Sequence, residues 1–402
     1  MGRRILIAAL AVLLAFQTAE AANPKARKGL VSSWGWYLNG LTFWAPFDNP
    51  ADPLNTHTAT GSLSMVRETT GTFEHPFTGL VTTSPINTLR IESQGALIEG
   101  TRTNILLWSR ALDNAAWTKT NTTAGKTITG EDGVSNSASW VAASSNGGTV
   151  KQAVTIVEAA FTGSVSIKRI TGTGTVKVSM DGGSTYGADL AASLSTSAWY
   201  RTTRTQTVAN PSLTIQLGTS GDNVAIDYAG IEAGAFASSR IPTTTVAVER
   251  GYDLLYIEAA GNMDFTEGTF FTRAHFITSR DNLTSGRVLG LAEGGDPPML
   301  IDNEDNPVFM NDGTGSTGFD VTGYTGINPV SLLAWWSAAQ SRMGTAINGT
   351  NGAGAAFDGS FTGGVVLFGC ASTNLAMGWL HLKDAMIWNR PLSVTERTAI
   401  TN

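Results

Sequence analysis

Short runs of alternating apolar and polar residues recur along this chain, and they restrict its fold more than any other feature. "SVSIKRI" from Ser164, "TVKVSM" from Thr175, "LTIQLG" from Leu213, "NVAIDYAGIEAG" from Asn223, "TFFTRAHFI" from Thr269 and "VSLLAWWSA" from Val330 all carry the pattern. A repeat of two residues, broken by Gly, Asn and Asp, predicts antiparallel strands joined by tight turns. The 45 glycines fit as turn residues. Helical signals are scarce; the clearest is the capping box Ser393-Val394-Thr395-Glu396 after Pro391, which predicts one or two helical turns at the C-terminal end. The expected fold is all-β, with two antiparallel β-sandwiches. Residues 22–99, with five prolines between Pro46 and Pro85 and few clear strands, read as an irregular N-terminal region. Residues 100–248 read as the first sandwich and 249–402 as the second, with Pro242 and the threonines after it as linker.

With 402 residues, more than one compact unit is expected. Only 14% of residues are charged, so surface polarity has to come from Thr, Ser, Asn and Gly, as in secreted or virion β-proteins. A net charge of −6, with no basic cluster beyond Lys25, Arg27 and Lys28, argues against nucleic-acid partners. The single cysteine, Cys370, sits in the apolar run "VVLFGC" and reads as a buried small hydrophobe. Arg3 and Arg4, the 12 apolar residues Ile5 to Phe16 and the small-residue site Ala19-Glu20-Ala21 together read as a secretory signal peptide over residues 1–21. An uncleaved apolar arm that packs in an assembly is the competing reading.

Catalytic patterns are sparse. His57, His75, His275 and His381 form no zinc motif, and no Gly-x-Ser-x-Gly elbow occurs. The glycines from Gly313 to Gly318 match GxGxxG in letters, but no helix follows to receive a dinucleotide phosphate. Gly125-Lys126-Thr127 lacks the earlier glycine of a P-loop, since position 120 is Thr120. The acidic stretch with Asp302, Glu304 and Asp305 offers hard oxygen ligands for Ca2+, against a plain hairpin turn between "PMLI" and "PVFM". No Glu-x-Asp-x-x-Glu spacing suggests paired acid and base groups for glycoside hydrolysis. Ser179-Met180-Asp181-Gly182-Gly183-Ser184-Thr185-Tyr186 resembles an Asp-box hairpin, whose role is structural.

"GALIEGTRTNILLWSRALDNAAWTK", from Gly95 to Lys119, resembles a motif of tailed-phage virion structural proteins of the tail-fibre type. Arg67, Gly79, Leu80, Asn87, Arg90 and Glu92 match that family's entry segment. "IEAGAFASSRIPTTTVAVERGYDLL" matches its exit segment, with Arg240 replacing a tyrosine and Gly251-Tyr252-Asp253 replacing Ala-Asp. The resemblance implies that these segments bracket a jelly roll like a carbohydrate-binding module. "RMGTAINGT" and "LHLKDAMIWNRPLSVTERTAI" resemble laminin-G or concanavalin A-like domains, which implies that fold for 249–402. It further implies that the Gly95–Lys119 segment is a joint, with Arg102 and Asn104 bonding backbone and Trp117 plugging the base of the jelly roll.

The function expected from this is a non-enzymatic virion structural protein, of a tail fibre or surface appendage, whose sandwiches touch host surface glycans or other virion proteins. A homo-oligomer fits that class, although no coiled-coil repeat is present. A secreted or cell-surface bacterial lectin-like adhesin is the alternative, and a glycan-degrading enzyme the third reading. For sugar stacking, Trp335 and Trp336 are the candidates: adjacent in one strand, they point to opposite sheet faces, so at least one belongs to a core.

Overall fold

The computed structural model describes residues 39–47, 57–58, 60–278, 286–292, 299–301, 308–311, 316–319, 329–359, 361, 363–370 and 378–402. Nearly every element is an antiparallel strand, as the alternation predicts. The strands form two sandwiches, but the chain does not visit them one after the other.

The larger sandwich is built from both ends of the chain. One sheet runs in the order His57–Thr58, Leu41–Ala45, Leu380–Trp388, Glu267–Phe276, Val330–Ser337, Arg342–Ile347, Thr350–Asn351, and Gly95–Ile98 also pairs with Leu380–Trp388. The facing sheet places Leu254–Glu258 between Val365–Phe368 and the early strand Ser64–Val66. Phe43, Ile98, Leu255, Phe270, Leu332, Trp336, Phe368, Leu382 and Ile387 meet in the core between the sheets. The Phe43 and Phe368 rings stack with centroids 5.1 Å apart. Cys370 is buried in this core, as expected, and burial pushes its thiol up to about 12.

The smaller sandwich is inserted into the larger one. Its five-stranded sheet has the order Thr122–Ile128, Ala138–Ala143, Asn223–Ala233, Ala159–Thr171, Tyr200–Val208. Its four-stranded sheet has the order Val176–Ser179, Ser212–Leu217, Gly148–Ala153, Thr118–Thr120. Val141, Val150, Phe161, Val165, Ile167, Ile215 and Ile226 fill the space between, with Trp117 at 1% exposure. The chain enters through Arg102–Asn104 and leaves through Val248–Arg250, and these two strands pair with each other.

This topology corrects the reading of residues 22–99 as an irregular N-terminal region and of 249–402 as a self-contained sandwich. The described part of 22–99 supplies strands to the larger sandwich. These strands are three to five residues long and separated by prolines, too short for an alternation to register. Their pairing partners lie hundreds of positions away, and only tertiary contact specifies them.

The strand Val330–Ser337 is buried on both faces, so its alternation separates two covered layers rather than a core from solvent. Trp336 and Leu332 face the main core. Trp335 and Leu333 face a second layer, formed by Trp388, Leu392 and Ile400 beneath the helix Val394–Thr401. That helix starts with the predicted capping box: Ser393 Oγ accepts from the Glu396 amide, and a Glu396 carboxylate oxygen accepts from the Ser393 amide at 2.7 Å.

The Asp-box resemblance corresponds to a well-bonded hairpin. Asp181 accepts from the Thr185 amide at 2.9 Å and from Ser179 Oγ at 2.7 Å, and Gly182 and Gly183 have φ of +77° and +100°.

Candidate functional site

The joint between the sandwiches is a buried charge cluster. Arg67, Arg90, Arg250, Glu99 and Asp253 all have side chains at 0–1% exposure. Arg67 Nη1 donates to Asp253 Oδ1 at 2.9 Å, and Arg90 Nη2 donates to Asp253 Oδ2. Arg90 Nη1 donates to Glu99 Oε2 at 2.7 Å, with Arg250 Nη1 3.5 Å from the same oxygen. Three cations against two anions leave a buried excess, which backbone carbonyls absorb. Arg250 Nη2 donates to the Gly100 carbonyl at 2.6 Å, and Arg67 Nη2 to that of Pro85 at 2.7 Å. Glu99 also accepts from the Ser239 amide at 2.7 Å, which ties in the chain leaving the inserted sandwich.

Burial alone would raise the Glu99 carboxyl, but Arg250 and Arg90 outweigh it and hold the group well below the ordinary value of 4.5. A depressed carboxyl contributes stability that is present above the ordinary value and lost as pH falls. Acidification from about pH 5 to about pH 2 should therefore unfold the wild type along a steeper limb than Glu99→Gln, as followed by circular dichroism.

The resemblance-derived roles at the joint match the contacts. Asn104 Nδ2 donates to the carbonyls of Ile241 and Ala229 at 2.8 and 3.2 Å, and its Oδ1 accepts from the Leu106 and Ile231 amides, both at 3.1 Å. Arg102 donates to the Ala233 carbonyl. Its guanidinium lies 4.7 Å from the Phe236 ring and 4.6 Å from that of Trp379, so it bridges the two sandwiches. Trp117 Nε1 donates to the Trp108 carbonyl at 3.1 Å.

Neither tryptophan singled out for sugar stacking presents a free ring. Trp336 is 0% exposed, lies against Gly268, meets Phe361 edge-on at 5.5 Å, and donates from Nε1 to the Asp264 carbonyl at 2.9 Å. Trp335 is 8% exposed; Gly344 lies against its indole and Arg397 lies 4.2 Å over the ring. The two point to opposite faces as expected, but both faces of the sheet are covered. Asp302, Glu304 and Asp305, the Ca2+ candidates, lie outside the described residues, as do residues 1–21.

The outer face of the inserted five-stranded sheet offers more. Val165, Ile167, Val224, Ile226 and Val141 point into the core, so Ser166, Lys168, Ala225, Asp227 and Trp140 point outward. Toward the joint this face is covered. Ser166 Oγ donates to Glu131 Oε2 at 2.6 Å, and Arg240 pairs with Glu131. Arg110 holds Asp227 through two bonds of 2.7 and 2.9 Å, and lies 4.1 Å over the Tyr228 ring.

One register position further along, the face is more open. Trp140 and Lys168 flank Ala225 across three paired strands. Trp199, just ahead of Tyr200–Val208, has its ring 4.8 Å from Lys168 Nζ. Trp140 lies over Gly125, where a Cβ would come 2.7 Å from the indole nitrogen, so glycine is what lets the ring lie flat. Trp140, Lys168 and Trp199 are half-buried and belong to neither apolar core. Two indoles and an ammonium in one row, on a face otherwise lined by hydroxyls and ion pairs, can stack on the apolar face of a sugar ring and donate to its hydroxyls.

No protein-family model matches this chain, and no curated protein matches it. Several solved structures are similar to it. The CBM40 module of a Ruminococcus gnavus IT-sialidase, bound to α2,3-sialyllactose, is 12% identical with a TM-score of 0.29, over 34% of this chain and 84% of that one. A tandem CBM22 domain from Paenibacillus barcinonensis is 10% identical with a TM-score of 0.25, over 71% and 98%. A putative carbohydrate binding protein from Bacteroides ovatus is 10% identical with a TM-score of 0.28, over 74% and 83%. Scores this low transfer no ligand to this chain, and the fold assignment rests on its own strand ladders.

Proposed function

We propose that the protein is a non-enzymatic, glycan-binding structural protein of a tailed-phage virion, a component of a tail fibre or surface appendage. The observation that carries the glycan part is the Trp140–Lys168–Trp199 row on the outer face of the inserted sandwich. The virion part is supported by the motif around Arg102-Thr103-Asn104 and the matching entry and exit segments. At the joint Glu99 and Asp253 are fully buried and paired with arginine, which fits a structural role for these two acids. The second reading, a secreted or cell-surface lectin-like adhesin, is favoured by Arg3, Arg4 and the apolar run that follows. Both readings use the same sheet face.

A glycan array probed with the full chain tests this. Saturable binding is expected, and Trp140→Ala and Trp199→Ala should each weaken it at least about tenfold, the loss of one stacked ring. Their melting temperatures should stay near wild type, because neither side chain belongs to a core. Unchanged binding in both variants would remove the row as the site. A wild type that binds no glycan would leave a subunit whose partners are other virion proteins.

A further inference from the structure

A second feature lies on the larger sandwich, on the far side of the sheet from its main core. A cleft of about 350 Å³ opens where the chain turns into the C-terminal helix, and Trp335, Gln340, Ser393 and Arg397 are among its lining residues. Arg397 is 8% exposed, yet its guanidinium makes no hydrogen bond or ion pair with any described residue. Among the described residues it lies over the Trp335 ring, 4.2 Å from the centroid. Burial lowers its basicity with no carboxylate to offset the effect. The other charges lining the cleft are matched to each other: Arg390 holds Glu396 through two bonds of 2.8 and 3.0 Å. Arg397 Nε is buried without a hydrogen-bond partner among the described residues, which is costly, and a planar fork of donors suits a carboxylate.

We propose that this cleft binds the carboxylate of an acidic sugar residue, with Arg397 as its counter-ion and Gln340 and Ser393 supplying hydrogen bonds to the hydroxyls. One uncompensated cation matches a singly charged acid, and the Glu396 carboxylate nearby disfavours a dianion such as a phosphate monoester. The sugar identity rests on the glycan-binding reading above; the need for an anion rests on Arg397 alone.

Calorimetric titration of the full chain with sodium glucuronate and, separately, with methyl glucoside tests the proposal. Glucuronate should bind at least about tenfold more tightly than the neutral sugar, the size of one charge-assisted pair. Arg397→Gln should erase that preference without lowering the melting temperature, whereas Arg397→Lys should keep part of it. Equal affinity for the two sugars in the wild type, or a preference that survives Arg397→Gln, would overturn the proposal and leave the glycan reading standing. Glucuronate failing to bind while the array detects glycans on the Trp140 face would do the same. If the array is also empty, both fall together. Should Arg397→Gln not fold, the wild-type comparison of acid and neutral sugar still decides.

Discussion

Asp253→Ala is expected to cost about 3–5 kcal/mol, the usual penalty for removing one partner from a buried ion cluster. Asp253 accepts from Arg67, from Arg90 and from the Glu99 amide. Its loss leaves three buried guanidiniums facing one carboxylate. Asp253→Asn keeps the shape but not the charge, and should recover only a minor part of the loss. The cluster joins Arg67 and Arg90 from the N-terminal strands to Glu99, Arg250 and Asp253 at the two ends of the insertion. The defect should therefore loosen both sandwiches at once. Urea unfolding followed by tryptophan fluorescence measures it, and a cost below about 1 kcal/mol would mean that water relieves the site.

Trp336→Ala is expected to cost about 3–5 kcal/mol, through lost burial and the cavity left behind. The indole is fully buried, and its hydrogen bond to the Asp264 carbonyl goes with it. Any loss of ligand binding in that variant would report unfolding rather than a contact. The neighbouring strand supports this reading. At Gly268 a Cβ would come 2.2 Å from the Trp336 ring, so Gly268→Ala should cost about 1–3 kcal/mol by overpacking. Thermal melts of the two variants check both figures. A wild-type-like melt for Gly268→Ala would mean that the indole can shift without penalty.

The sequence is informative where side-chain periodicity acts locally. The alternation in "SVSIKRI" and "NVAIDYAGIEAG" identifies two central strands of the inserted sheet, Ala159–Thr171 and Asn223–Ala233. The Ser393 capping box marks the helix start, and the Asp181 hairpin forms as its residues suggest. The motif residues Arg67, Arg90 and Asn104 are visible too, although nothing local says that two of them meet in one ion cluster. The insertion itself is not legible. Leu41–Ala45 and Gly95–Ile98 read as fragments until Leu380–Trp388 is there to pair with them.

The site was less legible than the fold. Trp335 and Trp336 are adjacent, and a period of two separates their faces without fixing whether either is exposed. A third layer, helix Val394–Thr401 with Leu392 and Arg397, covers the face that otherwise would be open. Trp140 carried a usable signal: it alternates with the core residue Val141 in "ASWVAA", which puts an indole on the outward face of a half-buried strand. Trp199 lies just before its strand, where periodicity says nothing.

The insertion of one sandwich into the other places the buried charge cluster between them, and native-state hydrogen exchange on the full chain tests it most directly. The amides of Leu41–Ala45 and Gly95–Ile98 should be protected to within about tenfold of those in Leu380–Trp388, because the three strands form one ladder and open together. N-terminal strands that exchange as freely as a frayed end, while Leu380–Trp388 stays protected, would contradict the account.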